Sequence, residues 1–140
     1  MARKQAREAA MSLVYEWASG GTGENETVES MMEDLALTNE DKAYALEIFR
    51  GIRTNAEMID EQISRYSKGW RVERMPRVDL CILRVAVYEL LFRSDIPSGV
   101  AANEAVEMAK AYSGDKSAPF INGILGSLIR EKRADEPLQD

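Results

Sequence analysis

The sequence predicts an all-α protein of about seven helices. Three observations carry this. Apolar residues recur at three- and four-residue spacing through most of the 140 residues. No run alternates with a period of two, and glycine, proline and capping residues fall between the periodic stretches.

The first helix is expected over about 3–18, where Ala6, Ala9, Ala10, Leu13, Val14 and Trp17 keep helical spacing. Three glycines and Asn25 in "SGGTGENET" break it. A second helix, about 27–36, turns Val28, Met31, Met32 and Leu35 inward. Thr38 opens a T-x-x-D cap for the third, about 39–52, with Ala43, Leu46, Phe49 and Ile52 or their neighbours inside. Thr54 and Glu57 form a capping box for the fourth, about 55–67, whose stripe is Met58, Ile59, Ile63 and Tyr66.

"SKGWRVERMPR" (67–77) is the main internal joint, and Pro76 suits the first turn of the fifth helix, about 76–93. That helix is apolar on almost every side, as the buried centre of a fold is. Glu89 interrupts it and is expected to form a structural pair with Arg93 one turn later. "SDIPSG" ends it, and a sixth helix, about 99–112, offers the small face Ala102, Ala105, Val106 and Ala109. Gly114 stops the sixth; Ser117 caps and Pro119 enters the seventh, which runs to about 131. Residues 1–133 are expected to form one domain with halves of about 1–68 and 69–133, and 134–140 a flexible acidic tail.

Composition narrows the function. Hydrophobic residues at 45% and charged ones at 30% fit a soluble globular chain, expected in the cytoplasm. The first residues are charged with no apolar run behind them, and "VDLCILRVAVYELLF" is broken by Arg84 and Glu89, so neither reads as a signal peptide or a membrane span. One cysteine, Cys81, forms no internal disulfide and reads as packing. The absence of histidine removes the commonest general base and transition-metal ligand, and no glycine motif cradles phosphate. No cofactor, metal site or catalytic residue is expected. The carboxylates Glu57, Asp60 and Glu61, and Glu104 with Glu107, share helix faces; a solvated face and a hard-cation site both fit that spacing.

The charge is unevenly placed. Residues 1–17 carry a net +1, against −7 for the remainder. An acidic body disfavours diffuse polyanion binding, so any nucleic-acid contact must be local. On a helix Arg3, Lys4 and Arg7 can point to one side, with Tyr15 two turns beyond. Cations followed by an exposed aromatic suit single-stranded RNA; solubility is the competing reason for them. A second cluster, Lys116, Ser117, Phe120 and Asn122, surrounds a helix start whose N–H groups favour phosphate. Phe120 serves equally well as core.

"RKQAREAAMSLVYEW" and the block from "VDLCILRVAVYELLF" to "GDKSAPFINGIL" together resemble the NusB transcription antitermination family. The second block carries I-L-R-x-A-x-Y-E-L-L, D-I-P, N-E-A-V-E-x-A-K and F-x-N-G in the family's order and spacing, and the similarity spans about 3–130. The resemblance implies two small packed helical bundles and no catalysed reaction. It implies binding of boxA RNA in nascent ribosomal transcripts together with NusE, a small-subunit ribosomal protein, within an RNA polymerase antitermination complex. By position, Arg3, Lys4, Arg7, Tyr15, Lys116, Phe120 and Asn122 are the implied RNA contacts; Tyr66, Glu73 and Asp79 mark the implied NusE surface. Gln5 stands where relatives often carry another cation, which implies weak, salt-sensitive binding alone. Some relatives form homodimers that hide the RNA face. The related helical domain of ribosomal RNA cytosine methyltransferases is set aside for want of a cofactor domain. A protein-binding scaffold that ignores RNA is the rival reading.

Overall fold

A computed structural model describes residues 3–21 and 25–135, and among these the chain forms seven α-helices and no strand. They are α1 (Lys4–Ala18), α2 (Asn25–Glu33), α3 (Asn39–Thr54), α4 (Ala56–Tyr66), α5 (Arg77–Phe92), α6 (Ser98–Tyr112) and α7 (Ser117–Asp135). A 3₁₀ turn, Val72–Arg74, lies inside the joint before α5. Residues 136–140 of the expected tail lie outside the described residues, and α7 continues four residues past its expected end.

α5 is the spine. Leu80, Cys81, Ile82, Leu83, Val85, Ala86, Val87 and Leu90 are all buried, and α1, α3, α4, α6 and α7 each pack on it. α1 lies against α3, α6 against α7, and α4 touches α3 and α7 as well as α5. The small face of α6 (Ala101, Ala105, Ala109) lets its neighbours close in. Arg84 of α5 donates to the two oxygens of Asp60 of α4 through Nε and Nη2, at 2.9 and 2.8 Å, which occupies that member of the α4 carboxylate row. Glu107 pairs with Lys110 at 3.3 Å. Lys132 of α7 donates to the carbonyl of Leu90, in the last turn of α5, where a cation favours the helix end.

Thr38 caps α3 as expected, accepting from the Asp41 N–H at 3.1 Å. The Thr54–Glu57 capping box does not form. α3 runs through Thr54, and Asn55 makes the corner instead, donating its side-chain amide to the Gly51 carbonyl at 2.8 Å. Pro76 stands just ahead of α5 at φ −52°, ψ 136°. Ser117 opens α7, but its hydroxyl is drawn to Asp79 rather than to the helix's own N–H groups. Among the described residues no helix is long and apolar enough to cross a membrane.

Candidate nucleic-acid interface

Two clusters of expected RNA contacts come from helix starts, and the structure sorts their members. At the start of α1, Lys4 is exposed to solvent. Arg3 lies 4.2 Å over the Tyr44 ring and 3.9 Å from Asp95, with its side chain 31% exposed. Arg93 approaches the same ring at 4.8 Å and holds Glu47 and Asp95, so it does not pair with Glu89. Its guanidinium keeps the Asp95 carboxyl down at about 2.

Arg7 departs from expectation. It is buried, and its Nε donates to both oxygens of Glu89 at 2.9 and 3.0 Å. The Tyr44 hydroxyl donates to the same carboxylate. Burial first, then that carboxylate, pushes the Tyr44 phenol far above its usual range. The three cations at the start of the chain, Arg3 ahead of α1 and Lys4 and Arg7 within it, therefore do not share an outward side. Arg3 and Arg7, one turn apart, face α3 and α5, and Lys4 alone of the three is fully at the surface. Glu89's partner is a cation 82 residues away rather than one turn along.

Tyr15 is exposed, but it opens onto a groove of about 400 Å³ shared with Met11, Met31, Val78 and Tyr112, with no cation in its lining. Tyr112, exposed and bonded to Glu8 at 2.8 Å, escaped the sequence reading. It ends a small-faced helix, with no cation pattern to mark it.

At the start of α7, Lys116 is exposed. Phe120 is half-buried and meets the ring of Trp70 edge to face at 5.9 Å. Asn122 lies with Pro119 in a groove of about 810 Å³ between α6 and α7, together with Asn103, Lys110 and Asp115. Two positions apart on a helix is a turn of about 200°, so Phe120 and Asn122 serve different faces. Asp79 is not on the surface. It is buried in the first turn of α5, and its two oxygens accept from Ser113 and Ser117, fastening the α6–α7 corner. Tyr66 is half-buried, its phenol raised by burial and then by Glu131, while Glu73 is exposed beside a groove lined by Trp17, Arg77 and Arg84.

The NusB family pattern matches residues 4–130. The transcription antitermination protein NusB of Acetivibrio thermocellus is 45% identical, covering 94% of this chain and 91% of its own length. That of Clostridium acetobutylicum is 43% identical, over 92% and 96%. Among solved structures, T. maritima NusB superposes with a TM-score of 0.84 at 35% identity, covering 94% of this chain and 92% of its own. A complex described as antitermination factors NusB and NusE with double-stranded RNA contains a chain at TM-score 0.81 and 27% identity, covering 92% and 96%. By sequence and by fold, over nearly its whole length, this chain belongs to the NusB family.

Proposed function

We propose that the protein is a transcription antitermination factor that binds boxA-type RNA in nascent ribosomal RNA transcripts together with NusE. The observation that carries this is likeness along nearly the full chain to antitermination proteins, including one solved with NusE and RNA. Its action is binding, with no reaction of its own, inside an RNA polymerase antitermination complex in the cytoplasm.

Lys4 and Arg3 supply charge at one helix start, and Lys116, Phe120 and the first-turn N–H groups of α7 supply charge, a ring and donors at another. Asn122 reads from the α6–α7 groove. Arg7 acts by position, locking α1 onto α5 so that Arg3 and Lys4 are held in place. Tyr15 is assigned to RNA by its position in the family, and its apolar groove suits a protein neighbour as well. Tyr66 and Glu73 form the NusE side, with Asp79 acting through the corner that it fastens. The acidic body complements a basic ribosomal protein. A homodimer covering the RNA face is the competing assembly.

Fluorescence anisotropy of a boxA-type oligonucleotide against a scrambled one, at two salt concentrations and with or without NusE, tests the reading. Selective binding that tightens with NusE is expected. Equal binding of both oligonucleotides with NusE present would leave a protein-binding scaffold in its place.

A further inference from the structure

The joint between α4 and α5 carries a charge that the rest of the molecule does not. Residues 65–77 hold five cations, Arg65, Lys68, Arg71, Arg74 and Arg77, against the single acid Glu73, in a chain of net charge −6. All five are exposed, and Lys68, Arg71 and Arg74 make no ion pair among the described residues. This joint is more cationic than the opening helix.

Trp70 stands in the middle of these cations, 54% exposed, the most open of the large apolar side chains. Its loop is built to hold it there. Lys68 and Gly69 take successive positive φ angles of 51° and 92°, which turn the chain sharply. The buried Ser67 hydroxyl then donates to the Trp70 carbonyl at 2.6 Å. The indole packs on Phe120 in a T-shaped pair with ring centroids 5.9 Å apart and planes at 68°. Whichever ring presents its edge, Phe120 leaves at least one indole face uncovered. An exposed flat ring, flanked along the chain by exposed cations and packed on Phe120 near the start of α7, is the arrangement that binds single-stranded nucleic acid: phosphates on the cations, a base on the ring.

We propose that Trp70, with Lys68, Arg71 and Arg74, extends the RNA site, stacking a base next to the one at Phe120 while the cations take the adjoining phosphates. The inference rests on the RNA-binding reading above and adds a residue and a loop to it. The NusE side assigned above to Tyr66 and Glu73 borders this loop; on the Trp70 face itself the cations favour RNA over a basic ribosomal protein, because like charges across an interface repel.

The chain has two tryptophans, so Trp17→Phe leaves Trp70 as its lone indole emitter. Titrating that variant with a single-stranded boxA-type oligonucleotide quenches the emission. Trp70→Ala weakens the anisotropy-measured affinity about 5- to 150-fold, and Trp70→Phe restores part of it. Arg71→Gln with Arg74→Gln lowers the slope of log K against log salt by about 1.4. In each variant NusE affinity falls less than RNA affinity does. RNA binding with an unquenched Trp70 and an unweakened Trp70→Ala variant overturns the inference and leaves the RNA reading standing. Loss of NusE binding alone in Trp70→Ala assigns the loop to the protein partner and also overturns it. Failure of the unaltered chain to bind the oligonucleotide, with and without NusE, removes both. The quenching arm keeps Trp70 intact, so a misfolded Trp70→Ala variant does not decide the matter.

Discussion

Arg7 and Glu89 lie 82 residues apart and meet in the core, Nε to Oε1 at 2.9 Å and to Oε2 at 3.0 Å, with the Tyr44 hydroxyl on the same carboxylate. Removing either charge strands the other away from water. Arg7→Ala or Glu89→Ala should cost about 3–5 kcal/mol in urea unfolding. Arg7→Met/Glu89→Leu/Tyr44→Phe should recover much of that, because an apolar filling carries no desolvation penalty. A folded triple variant that keeps its RNA affinity confirms Arg7 as a positioning residue; a tenfold loss would give it a direct contact.

Asp79 takes a hydroxyl from each end of the α6–α7 corner, Ser113 and Ser117. Asp79→Ala leaves both hydroxyls without that acceptor and should cost about 1–3 kcal/mol. Amide exchange over residues 115–121 should quicken, and boxA-type RNA affinity should fall with it although Asp79 never reaches the surface. Unchanged exchange there would separate the corner from Asp79.

Gly51 of α3 sits beneath Tyr88 of α5. A Cβ built at Gly51 would come 2.1 Å from the Tyr88 Cε1 atom, and Tyr88 is itself buried. Gly51→Ala should therefore destabilise by about 1–3 kcal/mol, despite the better helix propensity of alanine. Tyr88→Ala in the same chain should cost less than it does alone, since the clash goes with it; strict additivity in thermal melts would count against this packing.

The seven helices were legible because periodicity and punctuation are local. The long-range pairings were not, yet their traces were present. Arg7 lies between Ala6 and Ala10 on the apolar stripe of α1, and Glu89 sits in a helix apolar all round. Two opposite charges, each on a buried face, ask for one another. The i, i+4 neighbour Arg93 was the nearer candidate, but it turned to Glu47 and Asp95. The Thr54 capping box lost to a helix that simply ran on to Asn55. Trp70 lay in a joint without periodicity, where spacing says nothing of exposure. The turn at Lys68 and Gly69, the Ser67 hydroxyl and the ring of Phe120 define its setting.

Burial pushes the Cys81 thiol from 9.0 up to about 11. The unfolded chain then loses that proton at lower pH than the folded one. The stability held by the neutral thiol is full below about pH 9 and is lost as pH rises towards 11, by up to about 3 kcal/mol. The raised Tyr44 phenol acts in the same direction at higher pH still. Urea midpoints at about pH 8 and about pH 10.5 should differ more for the unaltered chain than for Cys81→Ala, whose titrating thiol is gone. Equal slopes would mean that Cys81 does not report alkaline unfolding.

The position of α5 has a consequence for how the molecule comes apart. Because α1, α3, α4, α6 and α7 all lean on this one helix, neither end of the chain owns a separable core. Peeling off either set of neighbours bares a rod of isoleucine, leucine and valine to water. The chain should therefore melt in a single cooperative step in calorimetry, with the α5 amides exchanging last and only through global opening. A fragment ending before Arg77 would lack its hydrophobic axis, and one beginning there would carry that axis uncovered and self-associate.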